Sequence, residues 1–299
     1  MTTIKSIVTG GEGFIGSHIV DALLNLGHEV ISIDDRSAPE NSQFYRNSNA
    51  RYVVSDIRDK SNRELYQGAD YVFHLAARSR IQPTILNPGE CFSVNVLGTQ
   101  EVLDASRLSG VKKVIYSASS SYYGHASSPP FVEDAPAGCA TPYSLSKWQG
   151  EQICSLYRKL YGLATVCLRY FNVYGPREPL AGEYAPVMGL FKRQASSGKP
   201  ITVVGDGLQR RDFTYITDVV AANILSMEDA AVGTYNIGTG RNVSIIELAQ
   251  LVSSKFPTEI KYIPKRVGET QVTLADASKA QREFGWKSKH AIEDVIFTY

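Results

Sequence analysis

The chain has 299 residues, of which 43% are hydrophobic and 20% charged, enough apolar material for a sizeable core and a second small lobe. Lysine and arginine number 31 against 30 aspartates and glutamates, so no bulk positive field draws it to nucleic acid or to an anionic membrane, and any anion site must be local. No apolar run approaches the ~18 residues of a membrane span.

A short apolar strand at 4–9 begins almost at once, leaving no room for a signal peptide. It runs into Gly10-Gly11-Glu12-Gly13-Phe14-Ile15-Gly16 and an amphipathic helix from about Phe14 to Leu26 that stops at Gly27. Gly10 permits the tight turn, Gly13 lets the backbone approach phosphates, and Gly16 lets the helix pack closely on the sheet. The unpaired amides of the helix start, at Phe14 and Ile15, then face an anion, as a dinucleotide pyrophosphate requires. The second strand, at 29–33, ends in Asp34, whose carboxylate suits the adenosine ribose hydroxyls and repels a 2′-phosphate, which predicts NAD rather than NADP. Arg36, two residues on, would recruit such a phosphate or else stand as a solvated loop charge.

Strand-like runs at 51–54, 71–75, 114–118 and 165–170 alternate with helical patterns. The predicted class is α/β, a Rossmann-type doubly wound parallel sheet with a smaller C-terminal substrate-binding lobe. A later helix has Thr141 as its N-cap, Pro142 in its first turn and Gly162 as its stop. After Asn172 the pattern changes to Tyr174-Gly175-Pro176-Arg177-Glu178-Pro179 and shorter elements. A strand at 233–237 and a helix near 218–227 are expected to return to the larger sheet. The two domains therefore interleave: 1–172 with about 213–238 for the cofactor, 173–212 with 239–299 for the substrate. Cys91, Cys139, Cys154 and Cys167 form no CxxC pair and show no metal-ligand spacing, which predicts free thiols, no metal site and a reducing cytoplasm. The abrupt end at Tyr299 points to a missing short tail.

Tyr143 and Lys147, four apart at the start of the capped helix, project from one face. A phenol with a pKa near ~10 is a poor base at neutral pH, but a nearby ammonium and a cationic nicotinamide ring favour the phenolate. Tyr143 is then the base for a sugar hydroxyl and Lys147 also holds the nicotinamide ribose. The strand at 114–118 ends in Ser119-Ser120-Ser121-Tyr122-Tyr123-Gly124, where Ser119 donates to an oxygen that becomes a ketone, or the run is a polar strand-end turn.

These elements together resemble the extended short-chain dehydrogenase/reductases, and among them the nucleotide-sugar epimerases, over essentially the whole chain. The resemblance carries the glycine loop to Gly10, Gly13 and Gly16, the ribose acid to Asp34 and the adenine-side acid to Asp56, with Ile57 and Ala76 beside the cofactor. It carries the catalytic serine to Ser119 and the Tyr-x-x-x-Lys pair to Tyr143 and Lys147; His74, in His74-Leu75-Ala76-Ala77, receives no catalytic role and reads as a core histidine. The Arg169-to-Pro176 signature implies that Asn172 meets the substrate diphosphate, and the segments at 205–213 and around 266 imply the same for Arg211 and Arg266. Ser120 and Ser121 stand where 4,6-dehydratases have an acidic pair, so elimination chemistry is not expected. That triple serine and Gly182-Glu183-Tyr184-Ala185-Pro186-Val187 are similar to UDP-N-acetylglucosamine 4-epimerases.

Thr273 falls where a tyrosine would crowd the C2 substituent, so acetamido sugars are expected to fit. Arg80 departs from the small uncharged residues of those enzymes; facing inward it would suit a uronate or another anionic sugar, and facing outward it is a loop charge. The resulting expectation is an NAD-dependent 4-epimerase of a UDP-hexose, UDP-GlcNAc/UDP-GalNAc with UDP-Glc/UDP-Gal as further substrates, acting through a 4-keto sugar. The rivals are a uronate epimerase, dehydratase, decarboxylase or reductase on the same scaffold, or a non-catalytic NAD-binding regulator. The resemblance also implies a homodimer through helices near 95–108 and 142–161.

Overall fold

The computed structural model of the chain describes residues 3–38, 44–126, 128–179, 185–265 and 270–298. Six strands follow the apolar runs within a residue or so: β1 (Lys5–Thr9), β2 (Glu29–Asp34), β3 (Arg51–Val54), β4 (Tyr71–His74), β5 (Lys113–Ser119) and β6 (Ala164–Tyr170). With the Gly233–Ile237 strand they form one seven-stranded sheet in the spatial order Gly233–Ile237, β6, β5, β4, β1, β2, β3. Every pairing in it is parallel.

A parallel sheet is covered on both faces, and its strands are accordingly apolar at consecutive positions. Ile7, Val72 and Val114 enter one cluster with Ile31, Leu103 and Cys154, while their neighbours Val8, Phe73 and Ile115 enter the other with Ile19, Leu23 and Val166. This alternation follows from the two-residue period of a strand. Ala280, Phe284 and Trp286, from the stretch that the chain-order reading gives to the lobe, pack in the second cluster. Trp286 Nε1 donates to the Asp218 carbonyl at 2.8 Å, drawing this stretch back to the sheet. A separate cluster including Phe191, Ile201, Val203, Leu248 and Val252 is the core of the smaller lobe. Among the described residues no helix is long and apolar enough to cross a membrane, and all four cysteines are free.

The strand order reverses between β1 and β4, which opens a crevice at the carboxyl edge where ligands of such sheets bind. The Pro142–Tyr161 helix borders it. Thr141 Oγ1 accepts from the Ser144 amide at 3.2 Å while Ser144 Oγ accepts from the Thr141 amide at 3.0 Å, and Gly162 ends the helix in the left-handed region with φ +70°.

Glu151 fixes this helix to β6. Its Oε1 and Oε2 accept from Arg169 Nε and Nη2 at 2.9 and 2.7 Å, with side chains 3% and 4% exposed. Arg169 also donates to Tyr123 Oη at 2.9 Å and the Glu133 carbonyl at 3.1 Å, and its guanidinium lies 3.5 Å over the Tyr122 ring. Glu151→Ala leaves that guanidinium buried without its counter-charge and is expected to cost about 3–5 kcal/mol, read from urea denaturation midpoints.

Candidate active site

The first turn of the helix Phe14–Asn25 presents unpaired amides to the crevice. The first helical bond runs from the Ser17 amide to the Gly13 carbonyl at 3.0 Å, and Gly13, as N-cap, brings no side chain to cap Phe14, Ile15 or Gly16. Gly10, at φ +71°, donates its amide to Ile33 O at 2.8 Å, and a Cβ there would stand 2.8 Å from the Ala76 amide nitrogen. A Cβ on Gly16 would fall 2.1 Å from the Gly10 carbonyl oxygen. Only a bare backbone builds this cradle, and it fits a pyrophosphate.

A cavity of about 610 Å³ runs from this loop across the edge of the sheet into the lobe. Gly10, Gly13, Phe14, Ile15 and Gly16 line one end with Asp34, Asp56, Ile57 and Ala76; Ser119, Ser120, Ser121, Tyr143 and Lys147 line the middle; Asn172, Arg211 and Thr273 line the far end. Eighteen of the nineteen site residues expected from the sequence, Arg80 included, thus border one space; Arg266 lies outside the described residues.

The details of several placements are new. Asp34 accepts the Glu12 amide at 3.0 Å and the Arg36 amide at 2.8 Å, while burial pushes its carboxyl above the usual range. Asp56 is paired with Arg58 at 2.6 Å. The Arg36 guanidinium, one-third exposed, is paired with Glu12 at 2.8 Å. Asn172 Nδ2 donates to the Asp212 carbonyl at 2.8 Å and to Thr273 Oγ1 at 3.0 Å, and Thr273 Oγ1 also accepts the Asp212 amide at 3.1 Å. Asp212 is buried and accepts from Thr239, Gly240 and Ala275, so this carboxylate ties the substrate end of the cavity together. Neither Glu12 nor Asp212 was singled out from the sequence, because their importance lies in distant partners. Arg211, on a two-residue strand, donates through Nη1 to the Arg210 carbonyl at 3.0 Å.

His74 is the core histidine that was expected. It is fully buried between the Thr9 and Thr99 hydroxyls, at 2.7 and 2.9 Å, and burial lowers its pKa to about 3, so it stays neutral.

Ser119 Oγ lies 2.9 Å from Ser121 Oγ and accepts the Ser121 amide at 3.2 Å. Burial raises the Tyr143 phenol above its ordinary pKa; the hydrogen-bonding neighbour Ser119 and the charge of Arg80 pull it down. Lys147 Nζ donates to the Ser117 carbonyl at 2.7 Å and stands 4.9 Å over the Tyr116 ring. Arg80 is half-buried and lines the same cavity as Tyr143 and Lys147. Arg78 also lines the cavity and is paired with Glu90 at 2.9 Å and Asp35 at 3.6 Å.

The sequence model of the NAD dependent epimerase/dehydratase family matches residues 6–238. The chain belongs to that family. It is an NAD-dependent enzyme, and the glycine cradle, Asp34 and Lys147 line one cavity. The chain is 35% identical over 302 residues to a UDP-glucose 4-epimerase of Mycolicibacterium smegmatis, covering 98% of this chain and 96% of that one. Its fold is similar to a UDP-glucose 4-epimerase of Thermotoga maritima crystallised with UDP-glucose, at a TM-score of 0.93, 34% identity and coverage of 98% and 96%. It is equally similar to a UDP-N-acetylglucosamine 4-epimerase of Methanobrevibacter ruminantium in complex with UDP-N-acetylmuramic acid, at a TM-score of 0.93, 32% identity and coverage of 99% and 96%.

Burial also lowers Lys147 to about 8, below the ~10.4 of a free lysine. The folded state sheds this proton before the unfolded state does, so between pH 8 and ~10.4 the unfolded chain binds more protons and stability rises with pH through this group. Below pH 8 the ammonium is charged in both states and its desolvation is fully felt. Lys147→Met is expected to remove that rise, read by comparing urea midpoints of the two proteins at pH 8 and pH 10.

Proposed function

We propose that this enzyme epimerises C4 of a UDP-hexose, with UDP-GlcNAc/UDP-GalNAc as the preferred pair and UDP-Glc/UDP-Gal as further substrates. The observation that carries the reading is that a phenol, an ammonium and a serine hydroxyl line the middle of a cavity whose one end suits a dinucleotide and whose other end bears Arg211, Asn172 and Thr273. When bound, NAD supplies the acceptor for the hydride of C4 and returns it. Tyr143 takes the proton of the C4 hydroxyl and gives it back, so no net redox change or change of mass follows. Ser119 donates to the C4 oxygen as it gains carbonyl character, with the Ser121 amide donating to its Oγ. Arg80 favours the phenolate form of Tyr143, offsetting the burial that opposes it. Lys147, charged at neutral pH and anchored on the Ser117 carbonyl, holds the nicotinamide ribose.

Arg211 is the guanidinium that meets the substrate diphosphate, with Arg266 as its partner. Binding energy concentrated on the nucleotide lets the sugar turn over between the two hydride transfers. Thr273 is small, and its hydroxyl is committed to Asn172 and Asp212, so the side chain is held back and leaves room for an acetamido group. Arg80 supports a second reading, in which the sugar bears a carboxylate. The Methanobrevibacter relative named above was crystallised with a sugar acid.

Ser120 and Ser121 supply no acid for elimination, which favours epimerisation over dehydration. Incubation with UDP-Glc, UDP-GlcNAc and UDP-GlcA, followed by NMR of the products, is expected to give C4 epimers of unchanged mass, fastest with the acetamido sugar. Tyr143→Phe is expected to lose about 10²–10⁴-fold in kcat while still binding NADH. A water-loss or carbon dioxide-loss product would overturn the assignment.

The second proposal concerns assembly. Leu97, Leu108, Leu156, Leu160 and Tyr161 are exposed on the two helical segments 95–108 and 142–161, and a second copy of the chain is the occupant this face suits. Sedimentation is expected to give a dimer, and Leu160→Glu, at a position 62% exposed here, a monomer.

A further inference from the structure

Glu12 stands inside the glycine loop, between residues that serve the pyrophosphate, yet its side chain is 0% exposed. Its Oε2 accepts from Arg36 Nη2 at 2.8 Å, Arg36 Nε at 3.0 Å and Arg46 Nε at 2.7 Å, and its Oε1 accepts from Arg46 Nη2 at 3.1 Å. The two guanidiniums are themselves 37% and 42% exposed. Burial works to raise the Glu12 carboxyl, but these two partners outweigh it and hold it below its ordinary value. Such a carboxylate is an anion at any physiological pH.

This ion triad adjoins the ribose end of the cavity. The Glu12 amide donates to Asp34 Oδ2 and the Arg36 amide to Asp34 Oδ1, so both residues of the pair also grip the carboxylate that suits the ribose hydroxyls. Asp34, Asp35, Ser37 and Ala38 line the wall there, Arg78 beside them is committed to Glu90 and Asp35, and the Arg36 side chain is turned toward Glu12. Arg36 reaches this geometry from a left-handed backbone, φ +54°, and its guanidinium lies 5.8 Å from the Phe44 ring centre; Arg46 lies 5.0 Å over Tyr52. A guanidinium two residues from a ribose-binding acid, as Arg36 is from Asp34, with Arg46 on the same carboxylate, is what a ribose 2′-phosphate would need, since planar donor forks match phosphate oxygens.

We propose that Glu12 is a cofactor-specificity residue that acts by sequestration: it holds Arg36 and Arg46 away from the adenosine ribose and so denies an NADP 2′-phosphate its counter-charge. Asp34 rejects that phosphate by repulsion, and Glu12 removes the attraction that would compensate. This goes beyond the sugar chemistry and does not rest on which sugar is the substrate.

The test reads cofactor binding, not turnover. NADH and NADPH affinities are measured by fluorescence titration on the full chain freed of nucleotide, in an Asp34→Ser background that relieves the repulsion. Adding Glu12→Gln is expected to raise NADPH affinity relative to NADH on the order of tenfold or more, the yield of one or two charge-assisted phosphate contacts. Adding Arg36→Met and Arg46→Met to that protein is expected to abolish the gain. Glu12→Ser carries the same comparison, so that a folding failure of one variant leaves the other, and retained NADH binding shows which protein is folded. An NADPH-to-NADH ratio unchanged by both Glu12 variants, or a gain that survives loss of both arginines, would overturn the proposal.

Discussion

The Arg169–Glu151 ion pair is the interaction on which the geometry of this site depends. Two charges in an interior of low polarity hold each other in one arrangement only, and here one belongs to β6 and the other to the helix of Tyr143 and Lys147. Arg169 extends the constraint to the segment after β5 through the Tyr123 hydroxyl and the Tyr122 ring. The base, its ammonium neighbour and the serine hydroxyl come from two stretches of chain, and this pair sets their relative position. A carboxylate with hydrophobic neighbours would not discriminate one helix register from another so sharply.

Charge elsewhere in the site follows the same logic of paired burial. Glu12 with its two arginines, Asp212 with its ring of amide and hydroxyl donors, and Asp34 with two backbone amides are each desolvated anions whose partners lie on other elements. Each binds a loop of the cavity to a rigid neighbour. Anchoring of this kind lowers the cost of binding two extended anions at once. Lys147 is anchored to a strand-end carbonyl, and Arg80 lines the same cavity.

Local chemistry made most of the framework legible. β1, the glycine loop and the first helix could be read from backbone requirements at Gly10 and Gly16, and the long helix from Thr141, Pro142 and Gly162, because caps and turns depend on residues adjacent in sequence. The parallel sheet was readable from strands apolar at consecutive positions. What resisted reading was any role set by a distant partner. Arg36 carries the same side chain whether it meets a phosphate, water or Glu12, and nothing within a few residues of it tells these apart. Trp286 likewise gives no sign in the sequence that it donates to the Asp218 carbonyl and packs in the core beneath the larger sheet.

The sequence by itself therefore determined the layered fold, the dinucleotide loop with its ribose acid, and the identity of the phenol, ammonium and hydroxyl. The fold and the loop rest on short-range rules of dihedral freedom, capping and hydrophobic period, and the phenol, ammonium and hydroxyl on the resemblance to the short-chain dehydrogenase/reductase motifs. Only the tertiary structure decided that Arg78 and Arg80 both line the cavity, that Arg78 is held by Glu90 and Asp35, that Lys147 is tied to Ser117, and that Glu12 engages two arginines. Direction and pairing of long charged side chains are settled by which counter-charges the fold brings within about 3 Å, and that proximity has no local signature.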